Sequence, residues 1–378
     1  MPGCLERYSI MKDKTLRLRN QPVYLPVYMP DATLGVVRSV DSADLEDCGI
    51  QAVVMNTYHL MQHPGSTTID ALGGLHDMSG WQRPIVTDSG GFQAYSLIQE
   101  NPRFGAITEK GIHFKPEGAK RKYLLTPEKC IQLQFGYGSD VIICLDQCTH
   151  VDAPLDAQKQ AVDRTIRWAK ECKAEYLDQL DHAKIRNDAR PKLFAVIQGG
   201  GYPDLRKKCA EALLEIGFDG FGFGGWPLDK QGALLADILG YTRNLIPADY
   251  PMHALGVGHP KNVLACYDLG YDLFDSAMPT RDARHGRLYR FNQSASDPDA
   301  GLRGDWLSYV YIEDKKYIKT DGPISSGCDC LCCGRYSLGF LHHLFKINDG
   351  LFQRLATMHN LRIMSQLEER LRLRADKS

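Results

Sequence analysis

Short runs of apolar and β-branched residues recur along the chain, and each is closed by Gly, Asp, Asn or Gln. They are PVYLPVYMP around Pro22, QAVVMNTYH around Val53, RPIVTDSGG around Val86, SDVIICLDQ around Ile143, KLFAVIQGG around Ala195, FDGFGFGG around Phe221, PMHALGVG around Leu255 and YDLFDS around Phe274. Between several of them the apolar period shifts to that of a helix, as in LDAQKQAVDRTIRWAKECKAEYLDQL, PDLRKKCAEALLEIG and PKNVLACYDLG. Near-continuous apolar strands alternating with helices predict an α/β fold with a parallel sheet covered on both faces. Eight such strands predict a closed (β/α)₈ (TIM) barrel over residues 1–290. In that fold the carboxyl ends of the strands carry the chemistry, so Asn56, Asp88, Asp146, Gln198, Gly224, Gly225 and Asp275 are expected at one mouth. Asn, Asp and Gly are also ordinary turn formers. A turn, however, requires neither Gln198 nor an aspartate set among Ile, Cys and Leu, as Asp146 is.

After Arg290 the pattern changes. Residues 291–327 are polar and irregular, with a predicted hairpin in DWLSYVYIEDKKYIKT, and a cysteine cluster, GCDCLCCGR, then leads into two helical segments. Residues 291–378 are therefore expected to form a linker, a hairpin and a small metal-binding helical subdomain packed on the barrel. Cys328, Cys330 and Cys333 make a C-x-C-x-x-C knuckle whose thiolates can meet one Zn²⁺ tetrahedrally, with a fourth ligand from His342, His343 or His359. A Cys₃His site has no open position and reads as structural. Cys332 is expected to point elsewhere.

Charge narrows the partners. Forty-five Lys and Arg balance forty-six Asp and Glu, so a nucleic acid must be met by a local patch rather than by bulk charge. Such a patch stands in LFDSAMPTRDARHGRLYR, where Arg281, Arg284, Arg287 and Arg290 follow Asp275 at three-residue intervals. Lys120, Arg121 and Lys122 form a weaker one. The first twenty residues have no apolar core segment and no run approaches a membrane span, so a soluble, cytoplasmic protein with no membrane partner is expected. Twelve cysteines in that setting point to thiols and metal rather than disulfides.

Asp88, Asp146 and Asp275 all close predicted strands. Paired carboxylates at one mouth suit substitution at an anomeric carbon, where one attacks the sugar and the other shuttles a proton to the leaving group. Asp88 precedes Ser89-Gly90-Gly91, where missing side chains let a flat ligand approach the backbone. Asp146 with Gln147, and Gln198 with Gly199-Gly200-Gly201, supply a carboxylate, amides and free N–H groups that match the Watson–Crick edge of guanine.

Taken together, NTYHL with HPG, TDSGGFQ, LTPE, CLDQC, IQGG, LGVG, FDSAMPTR, the cysteine knuckle, HHLF and MHN resemble the queuine/archaeosine family of tRNA-guanine transglycosylases over nearly the whole chain. The resemblance implies exchange of guanine at the wobble position of tRNAs with GUN anticodons for a 7-deazaguanine base, by a covalent ping-pong route. It implies Asp275 as nucleophile on ribose C1′ and Asp88 as general acid/base. Base recognition would fall to Asp146, Gln198, a backbone amide at Gly225, and Ser89. The implied zinc ligands are Cys328, Cys330, Cys333 and His359, one ion per chain. Arg281, Arg284 and Arg287 are the expected phosphate contacts, with His285 beside them, and a homodimer is the expected assembly.

The match breaks at GGWPLDK, Gly224 to Lys230, where bacterial members resemble GGLAVGE. Trp226 replaces a small aliphatic residue, and the acid expected to adapt the pocket to the 7-substituent is replaced by Lys230. The stretch from Asp275 to the knuckle is also longer than the family pattern. Cys148 resembles the bacterial pocket, which favours 7-aminomethyl-7-deazaguanine, with queuine second. A non-catalytic accessory subunit would be expected to lose the acids, yet all three are present. A metal-dependent barrel hydrolase would need His ligands at strand ends that offer Asp and Gln. Exchange on DNA, or at another tRNA position, would use similar phosphate contacts.

Overall fold

The computed structural model describes residues 14–18, 21–115, 122–150, 152–292 and 302–375. The parallel strands are β1 (Val27–Pro30), β2 (Val53–Asn56), β3 (Ile85–Asp88), β4 (Val141–Ile143), β5 (Lys192–Ile197), β6 (Gly220–Phe223), β7 (Met252–Ala254) and β8 (Leu273–Ser276). Each pairs with its neighbour in chain order from β2 to β8, and β8 pairs back to β1. A parallel bridge between Asp31 and Val54, with Ala32 N–H donating to Val54 C=O at 2.7 Å, draws β1 onto β2 and brings the ring to closure. The (β/α)₈ expectation therefore holds.

Alternation along each strand sorts the core into two layers. Val27, Met29, Val54, Val86, Val141, Ile143, Phe194, Val196 and Leu273 fill the interior. Their sequence neighbours Tyr28, Val53, Met55, Ile85, Ile142, Leu193, Ala195 and Phe274 face the surrounding helices.

Two expected elements differ. PVYLPVYMP is not one strand. Gln21–Tyr24 pairs antiparallel with Thr15–Leu18, and only Val27–Pro30 enters the barrel, because Pro26 supplies no N–H to continue a ladder. Leu16, Leu18, Val23 and Leu25 of that ribbon join the interior cluster, and Lys14 pairs with Asp272 at 2.8 Å just ahead of β8. The ribbon thus closes the barrel's amino-terminal end. Nor does DWLSYVYIEDKKYIKT fold on itself. Leu307–Tyr311 pairs antiparallel with Arg287–Phe291, while Lys315–Tyr317 is a short helical turn. Adjacent Lys315 and Lys316 break the alternation a second strand would need, whereas Arg287–Phe291 sets Tyr289 against Tyr309 and Phe291 against Trp306. Lys120 and Arg121 lie outside the described residues. No helix among the described residues is long and apolar enough to cross a membrane.

The helix Gly350–Ala375 straps the carboxyl-terminal region to the barrel. Glu368 is buried and accepts the N–H of Tyr28 in β1 at 2.8 Å. Arg354 donates two bonds to the buried carboxylate of Asp44, at 2.6 and 2.8 Å. Fully buried Asn360 accepts the N–H of Tyr289 at 2.9 Å and donates to the carbonyls of Pro279 and Arg287 at 3.0 and 3.1 Å. Removing that amide leaves the Tyr289 N–H without its acceptor and takes a donor from the carbonyls of Pro279 and Arg287. Asn360→Ala is therefore expected to destabilise the fold by roughly 2–4 kcal/mol, measured as a shift in the urea unfolding midpoint; an unmoved midpoint would contradict this account.

Candidate active site and metal centre

Closure of the barrel sets Asp88, Asp146, Gln198 and Asp275 at the carboxyl ends of β3, β4, β5 and β8, or just beyond them. Asp88 is register partner to Asn56, whose side chain donates to Asp88 Oδ2 at 2.8 Å while its own oxygen caps the helix Thr57–Leu60. The N–H of Gly90 donates to Asp88 Oδ1 at 3.0 Å. Gly90 has φ +80°, and a Cβ there would lie 2.6 Å from the Tyr58 backbone, so this turn requires glycine. Burial pushes the Asp88 carboxyl above the usual carboxylate range, and the negative charge of Asp275 pushes it further. Both effects favour the protonated form.

Asp275 Oδ1 accepts two bonds, from His253 Nε2 at 2.8 Å and from the N–H of Gly256 at 2.9 Å. His253 was not among the residues singled out from the sequence. Its only signal was a titratable side chain in the middle of the otherwise apolar β7.

Asp146 and Gln198 form the other half of the mouth. Both are buried, and Gln198 Nε2 donates to Asp146 Oδ2 at 2.6 Å. Burial raises the Asp146 carboxyl to about 7, partly offset by that bond. Gln198 Oε1 is buried with no hydrogen-bond partner among the described residues. An orphaned acceptor of this kind is costly unless a ligand satisfies it. Room for Gln198 comes from Gly224, where a Cβ would sit 2.4 Å from Nε2. Buried Arg206 holds the surrounding loops by donating to the carbonyls of Ile197, Gly200 and Gly224 at 2.5, 2.9 and 2.9 Å. Ser89 is buried and its hydroxyl accepts the N–H of Gly91 at 3.2 Å. The N–H of Gly225 lies against the thiol of buried Cys148.

The divergent GGWPLDK loop is pinned across this end of the barrel. The Trp226 ring packs on Phe92, His150 and Tyr95, with centroids 4.8, 5.3 and 6.3 Å away, and Lys230 pairs with Asp152 at 2.7 Å.

The arginine ladder is not uniform. Arg287 donates to Asp282 at 2.6 and 3.0 Å and lies over the Tyr309 ring, so its charge is already neutralised. Arg290 donates to the carbonyl of Ile324 at 2.5 Å. Arg281 is exposed. Half-buried Arg284 has an Nη1 with no hydrogen-bond partner among the described residues, and burial, with the positive charges of Arg38 and Arg281, lowers its pKa. Arg38, Arg281 and Arg284 thus form a cationic cluster beside the mouth, with Arg38 unforeseen from sequence.

Cys328, Cys330, Cys333 and His359 bring their ligand atoms within 4.8 Å of one another. His359 Nδ1 lies 3.3 Å from Cys333 Sγ and 3.7 Å from Cys330 Sγ, and its Nε2 faces the carbonyl of Tyr289 at 2.7 Å. A donor bond from Nε2–H to that carbonyl leaves the Nδ1 lone pair aimed at the sulfurs, as a metal site requires. The choice among three histidines is thereby decided by geometry. His342 instead meets the carbonyl of Ile312 and His343 is exposed. Cys332 is buried and outside the group. Three thiols and an imidazole so arranged fit a tetrahedral divalent ion.

A family model described as queuine tRNA-ribosyltransferase matches residues 12–376. The chain belongs to that family. A queuine tRNA-ribosyltransferase from Psychrobacter sp. (strain PRwf-1) is 36% identical over 358 residues, covering 95% of this chain and 88% of the relative. One from Psychrobacter cryohalolentis is 37% identical over the same shares of the two chains. A putative queuine tRNA-ribosyltransferase from Archaeoglobus fulgidus is 36% identical, covering 97% of this chain and 93% of the relative.

Removing one thiol from the metal group should be felt in both metal content and stability. Cys330→Ser is expected to lower the bound metal per chain well below that of the unaltered protein and to lower the melting temperature, measured by elemental analysis and calorimetry. An unchanged metal-to-protein ratio would exclude Cys330 as a ligand.

Proposed function

We propose that this member of the queuine tRNA-ribosyltransferase family is a tRNA-guanine transglycosylase. It replaces guanine at the wobble position of tRNAs with GUN anticodons by a 7-deazaguanine base. One observation carries the proposal: two carboxylates with distinct environments, Asp88 and Asp275, share a mouth with the buried Asp146–Gln198 pair, whose Gln198 Oε1 lacks a partner.

The chemistry follows from those environments. Asp275, held at Oδ1, attacks ribose C1′ through Oδ2. The C1′–N9 bond breaks, its electron pair moves to N9, and Asp88, which burial keeps inclined to hold a proton, delivers that proton to the departing guanine. The incoming base then returns its N9 proton to Asp88, N9 attacks C1′, and the ester to Asp275 breaks. Ionised Asp146 accepts the two donors of the base edge, and Gln198, the Gly225 amide and Ser89 complete the pocket. Arg281 and Arg284 meet phosphates, and Arg287 supports them through Asp282. The Cys328, Cys330, Cys333 and His359 group would hold one Zn²⁺ ion with no open position, whose contribution is to tie the knuckle to the helix Gly350–Ala375. Cys148 against Gly225 supports 7-aminomethyl-7-deazaguanine as the incoming base. Queuine is the second reading, because Trp226 gives the adjoining loop a different surface.

Asp275→Asn is expected to abolish the covalent protein–RNA adduct seen on a denaturing gel, and persistence of the adduct would reject Asp275 as nucleophile. The raised pKa of Asp146 sets a pH dependence for base binding. The ionised form is the one that accepts the base's donors, so affinity for guanine should be half its limit near pH 7, approach the limit above about pH 8 and weaken on the acid side, by about tenfold per pH unit once the carboxyl is mostly protonated. Calorimetric titrations between pH 5.5 and 8.5 test this, and a flat profile would mean that Asp146 is not the base acceptor.

A further inference from the structure

His253 is 1% exposed and stands within β7, where an apolar side chain would serve packing better. It joins Asp275 through Nε2 at 2.8 Å, on the same oxygen that accepts the N–H of Gly256 at 2.9 Å. An ionised carboxylate only accepts, so Nε2 carries the proton. The other ring nitrogen, Nδ1, is buried with no hydrogen-bond partner among the described residues. The ring therefore has no proton relay behind it, and the polar contact that orients it is the one to Asp275. Two donors on Oδ1 fix the carboxylate plane and leave Oδ2 as the oxygen without a bond among the described residues.

We propose that His253 is a positioning residue for the nucleophile: its Nε2–H, together with the Gly256 N–H, pins Oδ1 of Asp275 and presents Oδ2 to ribose C1′. The assignment rests on the transglycosylase reading above. It concerns only the approach that forms the Oδ2–C1′ bond as C1′–N9 breaks; the ring itself gives up no proton. Without the pin, the carboxylate rotates away from the line of attack, and a misplacement of about 1 Å costs on the order of 100-fold in rate.

The test is single-turnover adduct formation with an anticodon stem-loop RNA carrying a GUN loop, read on denaturing gels beside RNA affinity by filter binding. His253→Leu removes the donor. His253→Gln keeps an amide N–H able to reach Oδ1, and His253→Asn is one methylene too short. The expected result is adduct formation slowed about 10- to 100-fold in the Leu and Asn variants, substantial recovery in Gln, and RNA affinity within about twofold of wild type in all three. If Leu fails to fold, the Gln-to-Asn comparison carries the same information. Equal rates in Gln and Asn, or a Leu variant as fast as wild type, would overturn the role of His253 while leaving the transglycosylase reading intact. Wild-type protein forming no adduct would overturn both.

Discussion

Closure of the parallel barrel is the constraint on which everything else depends. A parallel ladder sends all its carboxyl ends the same way, and the Asp31–Val54 bridge turns that shared direction into a ring. The interior is filled by Val, Ile, Met, Phe and Leu, so it offers no passage, and polar side chains can only gather at the rim. The antiparallel ribbon of Thr15–Leu18 and Gln21–Tyr24 closes the opposite end. At the mouth, among the described residues, carboxylates gather with backbone N–H groups of glycine turns, as those of Gly90 and Gly256 do on Asp88 and Asp275.

Gathering three carboxylates at one rim creates an electrostatic problem that the surrounding groups resolve differently for each. Asp275 receives two donors on one oxygen. Asp88 receives the Asn56 amide and a backbone N–H, yet burial and its neighbour still hold it toward the protonated form. Asp146 is buried with a single amide donor and is raised to about 7. Identical side chains thus acquire three chemical characters. In the proposed reaction these are nucleophile, proton carrier and base reader, and each follows from solvation and hydrogen bonding rather than from residue type.

The carboxyl-terminal region is bound to this chemistry through adjacent residues of one helix. His359 turns Nδ1 to the cysteines and Nε2 to Tyr289, while Asn360 holds Tyr289, Arg287 and Pro279. Pro279 and Arg287 flank the cationic segment that follows Asp275. A metal ion in the Cys–His group would therefore stiffen the backbone that carries the arginines without touching the reacting atoms. The same packing explains why the ladder is not uniform. Arg287 and Arg290 face structure that neutralises or engages them, and Arg281 and Arg284 face the rim.

Local pattern alone determined much of this protein. Eight apolar runs closed by polar residues specify strands and mark their carboxyl ends, because period and turn chemistry are properties of neighbouring residues. The C-x-C-x-x-C knuckle is legible for the same reason, its thiols lying within one turn of chain. Spacing and local pattern, without the family resemblance, left open what depends on distant residues meeting. The choice of His359 over His342 and His343 was decided by a helix folding back onto the knuckle. The pairing of Leu307–Tyr311 with Arg287–Phe291 was decided by which apolar face was available. His253 became a partner of Asp275, 22 residues away, only when β7 and β8 were laid side by side. The raised pKa values of Asp88 and Asp146 likewise exist only in the closed barrel, since desolvation is set by what surrounds a carboxyl in space and not by what precedes it in the chain.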